Sequence, residues 1–348
     1  MSCASLAGVV VARAPLAPVV CRAHPLDANT EGQTVRRLAI LSPLPAESVS
    51  GRFDDIDVRA VLDIGDPIET CRGADIVIAD FSGTHRVTPE IVEVIADTCR
   101  LVQVPAAGLD SVDVEACAAA GVPVASCAGL NAAGVAEWCV WATISALRRT
   151  SEADRGLREG RFEQLGVPRY ELRGKTVGLI GMGDIGVACA PRFAAFDVDL
   201  RYWTRTRRAP EREVELGVTW SQLDDLFRQA DVIVLAIALS AATRNLVDAD
   251  RLATVKPSAV IVNAARGEVW DEHAVAGALR AGQLHGAATD VFSQEPPPAD
   301  HPLLDIEAIA LTPHIAGSTA EAVGAIFGRV LDNVGRVLRG EQPEGLIT

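Results

Sequence analysis

The sequence lacks features that mark several protein classes. It contains no uninterrupted apolar run of 18 residues, so a membrane-spanning helix is not expected. Basic side chains are outnumbered, with 32 Lys and Arg against 46 Asp and Glu, and the net charge is -14. Binding to a phosphate backbone needs a concentrated basic face, so a nucleic-acid partner is not expected either.

Metal and disulfide patterns are also missing. None of the eight cysteines forms a C-x-x-C pair, and none of the six histidines forms H-x-x-H or H-E-x-x-H. No metal site is therefore predicted. The cysteines are predicted to be reduced core thiols of a cytoplasmic protein, because several lie in apolar surroundings. Five histidines are predicted to be structural or surface residues: His24, His85, His273, His285 and His301.

The first 37 residues differ from the rest of the chain. Ala, Val and Pro dominate them, and the first twelve carry no charged side chain. A secretory signal has a positive region before its apolar run. Segment 1–37 is therefore predicted to be a disordered tail or an over-long gene start.

From residue 38 onward, apolar runs rich in β-branched residues alternate with helical stretches, which predicts parallel α/β sheets. The 348 residues suffice for two domains. We therefore predict two doubly wound, Rossmann-like lobes, of which the second binds a dinucleotide. The last helix, 319–339, could fold back onto the first lobe. Strands are predicted at 38–41, 60–62, 76–79, 101–104, 176–180, 198–203, 232–237, 259–262, 286–291 and 309–311, and further helices at 89–97, 112–120, 131–149, 187–196, 221–228 and 272–281.

The strongest motif is a G-x-G-x-x-G pattern placed between a strand and a helix. Gly181 would form the tight turn, Gly183 would let the backbone approach a diphosphate, and Gly186 would let helix and strand pack closely. The anion would lie on the free N–H groups of the helix N-terminus, near Asp184 and Ile185. This pattern predicts a dinucleotide site.

Four segments in order resemble the D-isomer-specific 2-hydroxyacid dehydrogenase family: 172–181 (LRGKTVGLIG), 262–268 (VNAARGE), 289–296 (TDVFSQEP) and 311–315 (LTPHI). The resemblance implies a substrate-binding domain at 38–128 plus 315–348 and a dinucleotide-binding domain at 129–314. It further implies an active site in the cleft between the two domains. Members are mostly homodimers, for which helix 131–149 is a candidate surface.

The resemblance also implies a catalytic set of Arg266, Glu295 and His314. The planar guanidinium of Arg266 suits a carboxylate. His314 would donate a proton in reduction, because imidazole titrates near neutral pH, and Glu295 would raise its pKa. By the same resemblance, the cofactor contacts include Ala264 and Asp290, the latter at the nicotinamide carboxamide. Substrate contacts are expected at Ala107, Gly108, Arg266, Ser82 and Gly83.

The strand after the glycine motif favours NADP(H) over NAD(H). NAD-specific relatives place an aspartate at its end, where this chain has Thr204 followed by Arg205, Thr206 and Arg207. A carboxylate would repel a 2'-phosphate, whereas hydroxyl and guanidinium groups would bind it. NADP(H) is therefore the predicted preference, with NAD(H) possible.

The predicted reaction is the NADPH-driven reduction of a small 2-oxo acid to its D-2-hydroxy acid. The loop at 81–85 lacks the arginines that bind phosphate in phosphoglycerate dehydrogenases, which favours a glyoxylate or hydroxypyruvate type of substrate. Two alternatives stay open at this point. One is a dinucleotide-sensing corepressor of the same family, and the other is a phosphite- or phosphonate-type dehydrogenase.

Overall fold

The computed structural model describes residues 36–53 and 56–348. The predicted tail at 1–37 therefore falls outside the described residues except for its last two, which begin the first strand. The described chain divides into two compact units, 36–127 with 327–348 and 128–326.

The smaller unit is built on a five-stranded parallel sheet of order β2-β1-β3-β4-β5. Its strands are short, and the central strands β3 and β4 are fully buried, as expected where helices cover both faces of a sheet. The elements are β1 (Arg36–Ile40), α1 (Glu47–Ser50), β2 (Ile56–Ala60), α2 (Val61–Ile64), α3 (Pro67–Cys71), β3 (Ile76–Ile78), α4 (Pro89–Ile95), β4 (Leu101–Gln103), α5 (Val114–Ala120) and β5 (Val124–Ala125).

The larger unit carries a seven-stranded parallel sheet of order β12-β11-β10-β9-β6-β7-β8. The strand order reverses between β6 and β9, and ligands of doubly wound folds bind at such a switch point. A short 3-10 helix, Gly267–Val269, follows β10. The other elements are α6 (Ala132–Arg148), α7 (Thr150–Arg158), β6 (Thr176–Ile180), α8 (Asp184–Ala194), β7 (Asp199–Trp203), α9 (Pro210–Leu216), β8 (Thr219–Trp220), α10 (Leu223–Gln229), β9 (Val232–Leu235), α11 (Ala249–Leu252), β10 (Val260–Asn263), α12 (Glu272–Arg280), β11 (Gly286–Thr289) and β12 (Ile309–Leu311). The last helix, α13 (Ala320–Leu338), begins in this unit, and its residues from 327 onward belong to the smaller unit.

The expected class, two doubly wound parallel-sheet domains, is confirmed by these two sheets. None of the helices in the described residues has both the length and the apolar character needed to cross a membrane. The six cysteines between residues 56 and 348 are buried free thiols, as predicted.

The predicted strand at 60–62 is wrong. The strand is Ile56–Ala60, and Val61–Ile64 forms a helix. Because β2 is an edge strand, polar Asp57 and Arg59 alternate with apolar residues and give no apolar run. The run at 60–62 is instead apolar because it begins a helix whose Val61 is buried. The short strands β5 and β8 and the polar helices α7 and α9 were not predicted either.

The last helix does pack on the smaller unit, as the sequence suggested, through a buried amide. The Asn333 side chain donates to Gln103 Oε1 at 2.7 Å and to the Glu344 carbonyl at 2.9 Å, and it accepts from the Glu344 N–H at 2.8 Å. Asn333 and Gln103 are both fully buried. One amide thus ties α13 to β4 and to the C-terminal segment.

We therefore expect Asn333→Ala to lower the free energy of unfolding by about 1–3 kcal/mol, because it leaves buried groups unpaired. Chemical denaturation followed by circular dichroism measures the change. The exposed neighbour Asp332 provides the control, and Asp332→Ala should change stability by less than about 0.5 kcal/mol. Equal effects of the two variants would contradict the anchoring role.

Candidate functional site

The glycine motif follows β6 at the switch point of the larger sheet. Gly181 has a φ of +102°, and a Cβ there would come within 2.2 Å of the Ala236 carbonyl oxygen. A Cβ at Gly186 would come within 2.3 Å of the Gly181 carbonyl oxygen. Both positions therefore exclude larger residues, and helix α8 packs directly on the turn.

The N-terminus of α8 fits a dinucleotide diphosphate. Gly183 is the N-cap, and a Cβ built there would meet no described atom within 4 Å, so a ligand can approach its backbone. No side chain of the described residues caps this helix end, and N–H groups at a helix N-terminus suit an anion. The Asp184 carboxylate lies about 3.3 Å from a Cβ built on Gly129, while Ile185 packs against the core.

The basic loop after β7 is partly committed to internal contacts. Arg207 forms two hydrogen bonds with Glu213, at 2.8 and 2.7 Å, and Tyr202 donates to the same carboxylate at 2.7 Å. Arg207 first and Tyr202 second lower the pKa of Glu213 to about 2. Thr204 donates its hydroxyl to the Thr206 carbonyl at 2.7 Å. Arg207 therefore anchors this loop.

Two other arginines of this loop, Arg205 and Arg208, make different contacts from those of Arg207. Arg205 is exposed, and no salt bridge or side-chain hydrogen bond to it exists within residues 36–53 and 56–348. Arg208 donates to the Met182 carbonyl inside the glycine motif, and its own N–H donates to Tyr202 at 2.8 Å. The Arg208 contact was not anticipated, although the run of arginines was the available signal.

Arg266 follows strand β10 in a turn that its neighbours fix. The Asn263 side chain donates to the Arg266 carbonyl at 3.0 Å and accepts from the Ala265 N–H at 3.0 Å. Ala264 is nearly buried, and its N–H donates to Leu235 at 3.1 Å. A buried asparagine thereby presents the half-buried arginine at the carboxyl edge of the sheet.

Glu295 and His314 form a close pair, with 2.6 Å between Glu295 Oε2 and His314 Nδ1. The bond to Glu295 outweighs desolvation and raises the pKa of His314 above its ordinary value. Burial would raise the pKa of Glu295, but the bonds from His314 and from the Phe292 N–H leave it lowered. Both directions favour a charged imidazolium–carboxylate pair. Arg266 is near enough for its charge to act on both groups.

Asp290 organises the turn that carries His314. Its carboxylate accepts from the Ile315 N–H at 2.8 Å, from the Ala316 N–H at 2.7 Å and from the Thr312 hydroxyl. Its carbonyl accepts from the His314 N–H at 2.8 Å. His314 adopts a φ of +54°, which only a well-bonded turn stabilises in a residue other than glycine. Asp290 is only 2% exposed, and desolvation raises the pKa of its carboxyl group. Its expected nicotinamide contact stays a prediction.

The loops expected to bind substrate lie in the smaller unit. Buried Asp80 accepts from the Ser82 N–H and hydroxyl, the Thr84 N–H and the His85 N–H, at 2.7 to 2.8 Å. Ser82 thus faces Asp80, while Gly83 is exposed with a φ of +79°. The N–H groups of Ala107 and Gly108 donate no hydrogen bond to any acceptor in the described part of the chain. The Asp80 bonds were missed, because a lone aspartate after a strand gives no signal.

Comparisons with known proteins relate this chain to one family. Residues 140–316 match the family model of the D-isomer-specific 2-hydroxyacid dehydrogenase NAD-binding domain. The chain is 34% identical over 268 residues to a glyoxylate reductase of Thermofilum pendens, covering 76% of this chain and 79% of that protein. It is 36% identical over 304 residues to a D-3-phosphoglycerate dehydrogenase of Mycobacterium leprae, covering 87% of this chain and 57% of that protein.

A solved structure extends the likeness to the fold. The crystal structure of a glyoxylate reductase from Paecilomyes thermophila superposes with a TM-score of 0.79 at 25% identity, covering 90% of this chain and 99% of that one. These matches point to the same family as the four sequence segments, and the two parallel sheets are consistent with it. The chain therefore belongs to the D-isomer-specific 2-hydroxyacid dehydrogenase family and is a nicotinamide-dinucleotide-dependent dehydrogenase.

Proposed function

We propose that this protein reduces a small 2-oxo acid of the glyoxylate or hydroxypyruvate type to the D-2-hydroxy acid, with NADPH as the reductant. The observation that carries the proposal is the 2.6 Å pair of His314 and Glu295 beside Arg266. The pair supplies a proton and the arginine a cation, the two groups that carbonyl reduction requires from the protein. The glyoxylate reductase relatives support the substrate class.

Each side chain has one task in this scheme. The bound nicotinamide supplies the hydride to the carbonyl carbon. His314 donates its proton to the carbonyl oxygen, and Glu295 keeps the imidazole protonated and oriented. Arg266 binds the substrate carboxylate and polarises the adjacent carbonyl. Gly181, Gly183 and Gly186 hold the diphosphate against helix α8.

The smaller unit is the proposed substrate-binding domain. The N–H groups of Ala107 and Gly108 are suited to a substrate carboxylate. The 81–85 loop directs four donors to Asp80 and carries no arginine, which disfavours a substrate phosphate. This favours glyoxylate or hydroxypyruvate over phosphoglycerate, even though some relatives are phosphoglycerate dehydrogenases.

The proposed NADP(H) preference rests on Arg205 more than on Arg207. Glu213 already holds the Arg207 guanidinium, whereas Arg205 is exposed beside Thr204. A guanidinium without an internal ion pair loses no such bond when it binds a 2'-phosphate. Thr204 leaves no carboxylate at the strand end to repel that phosphate.

We further propose a cytoplasmic homodimer. Apolar side chains are exposed on and after helix α6, which suits a contact with a second copy. The six buried free thiols suit a reducing compartment. Between residues 141 and 165, these exposed apolar side chains are Trp141, Leu157, Phe162 and Leu165.

The proposal is tested by following NADPH oxidation with a panel of 2-oxo acids. We expect glyoxylate or hydroxypyruvate to turn over, and His314→Asn to lower kcat by about 10²- to 10⁴-fold, because the proton donor is gone. NADPH affinity, measured by fluorescence titration, should stay within about twofold, since His314 holds no part of the cofactor in this scheme. Activity with phosphite but with none of the 2-oxo acids would contradict the proposed substrate class. Wild-type rates in His314→Asn would refute the mechanism.

The rate of reduction should depend on the ionisation of His314. Since Glu295 raises the pKa of this histidine above its ordinary value, reduction should be fast at lower pH and fall as the pH rises through that raised pKa. Glu295→Gln should move this limb of the kcat/KM profile to lower pH. Glu307→Gln, at an exposed carboxylate in the same unit, serves as the control. A profile unchanged by Glu295→Gln would contradict the assignment.

The cofactor prediction distinguishes neighbouring arginines. Arg205→Ala should lower kcat/KM for NADPH by about tenfold or more, because one charge-assisted bond is lost, and should leave NADH unaffected. Arg212→Ala, at a residue paired with Glu215 on helix α9, should change neither value. A wild-type protein that prefers NADH would overturn the NADP(H) proposal.

A further inference from the structure

A buried carboxylate that is not part of the proposed catalytic set contacts the loop that carries Glu295. Glu272, the first residue of helix α12, is only 8% exposed. Its Oε1 accepts from the Ser293 N–H at 2.9 Å, and its Oε2 accepts from the Ser293 hydroxyl. Burying a carboxylate is costly unless it is well bonded. Both of its oxygens accept hydrogen bonds from one residue, Ser293, which lies two positions before Glu295.

A histidine completes this group, which we name the Glu272 cluster: Glu272, Ser293 and His301. His301 Nε2 lies 3.1 Å from Glu272 Oε2, out of line for a hydrogen bond, and the ring is 7% exposed. His301 Nδ1 accepts from the Leu303 N–H at 3.3 Å, so in the neutral ring the proton is on Nε2, facing Glu272. The Phe292 ring packs edge-on against His301 at 5.3 Å.

The peptide that joins Phe292 to Ser293 is held from two sides. A Cβ on Gly267 would come within 2.0 Å of this peptide, so the turn after Arg266 presses directly on it. Glu272 binds the same peptide through the Ser293 N–H. The Phe292 N–H then donates to Glu295 Oε1 at 2.9 Å, which leaves Oε2 for His314.

We propose that Glu272 is a positioning residue for the reaction: by fixing the Phe292–Ser293 peptide, it aims the Glu295 carboxylate at His314. The expected effect on catalysis rests on the proposed function, whereas the positioning itself rests on the hydrogen bonds of Ser293, Phe292 and Glu295. His314 is faced by Glu295, Asp290 and Arg266. Of these three, the Glu295 contact is the one that hydrogen bonds of Ser293 and Phe292 link to the Glu272 cluster, so loosening the cluster should weaken the contact between Glu295 and His314.

The test compares Glu272→Gln and Ser293→Ala with the wild type in the full-length protein. Both should lower kcat about tenfold, since small misplacements of catalytic groups are costly, with KM for the cofactor within about twofold. Ser293→Thr keeps the hydroxyl and should restore kcat. Asp305→Asn, at an exposed carboxylate paired with Arg280, should behave as wild type.

A second measurement does not need turnover. NMR titration of the His314 ring, assigned by its loss in His314→Asn, should give a lower pKa in Glu272→Gln and Ser293→Ala than in the wild type. Wild-type kcat and pKa in both variants would overturn the inference. So would parallel losses of kcat, cofactor binding and thermal stability in Glu272→Gln with wild-type behaviour in Ser293→Ala. A wild type without turnover would refute the proposed function, while the titration still tests the positioning.

Discussion

The hydrogen bond between His314 and Glu295 is the interaction on which the candidate site depends. It joins two loops that leave different strands, and it sets the charge state of both partners. His314 reaches it only by adopting a left-handed backbone, which costs roughly 1–2 kcal/mol in an isolated chain. Asp290 offsets that cost by accepting the N–H groups that follow.

Backbone geometry also constrains the dinucleotide site. At Gly181 and Gly186 the strand, turn and helix approach so closely that no side chain fits. Arg208 then bonds the middle of the motif, and Arg207 fixes the following loop to Glu213. A basic sequence after β7 therefore contains arginines with different tasks. Proteins use charge both to build a loop and to bind a ligand, and composition alone does not separate the two uses.

Most of the fold could be predicted, because the buried strands of a parallel sheet stand out in the sequence as short apolar runs. The elements that were missed are those without such a run. Edge strand Ile56–Ala60 alternates polar and apolar residues, and helix Thr150–Arg158 is mostly polar and charged. Their places are fixed by neighbours that are distant in sequence, as when β2 pairs along β1.

The sequence by itself determined the family, the two parallel sheets and the glycine turn, and it singled out Arg266, Glu295 and His314 as the candidate catalytic set. The sheets and the glycine turn follow from local patterns, because residue type and short spacing dictate the backbone, whereas the family and the candidate catalytic set follow from the resemblance of four segments. Only the tertiary structure decided which atoms meet: that Asp290 bonds the histidine turn, that Glu213 occupies Arg207, and that Glu272 holds Ser293. Such contacts join residues that nothing in the local sequence pairs, since packing alone brings their side chains within bonding distance.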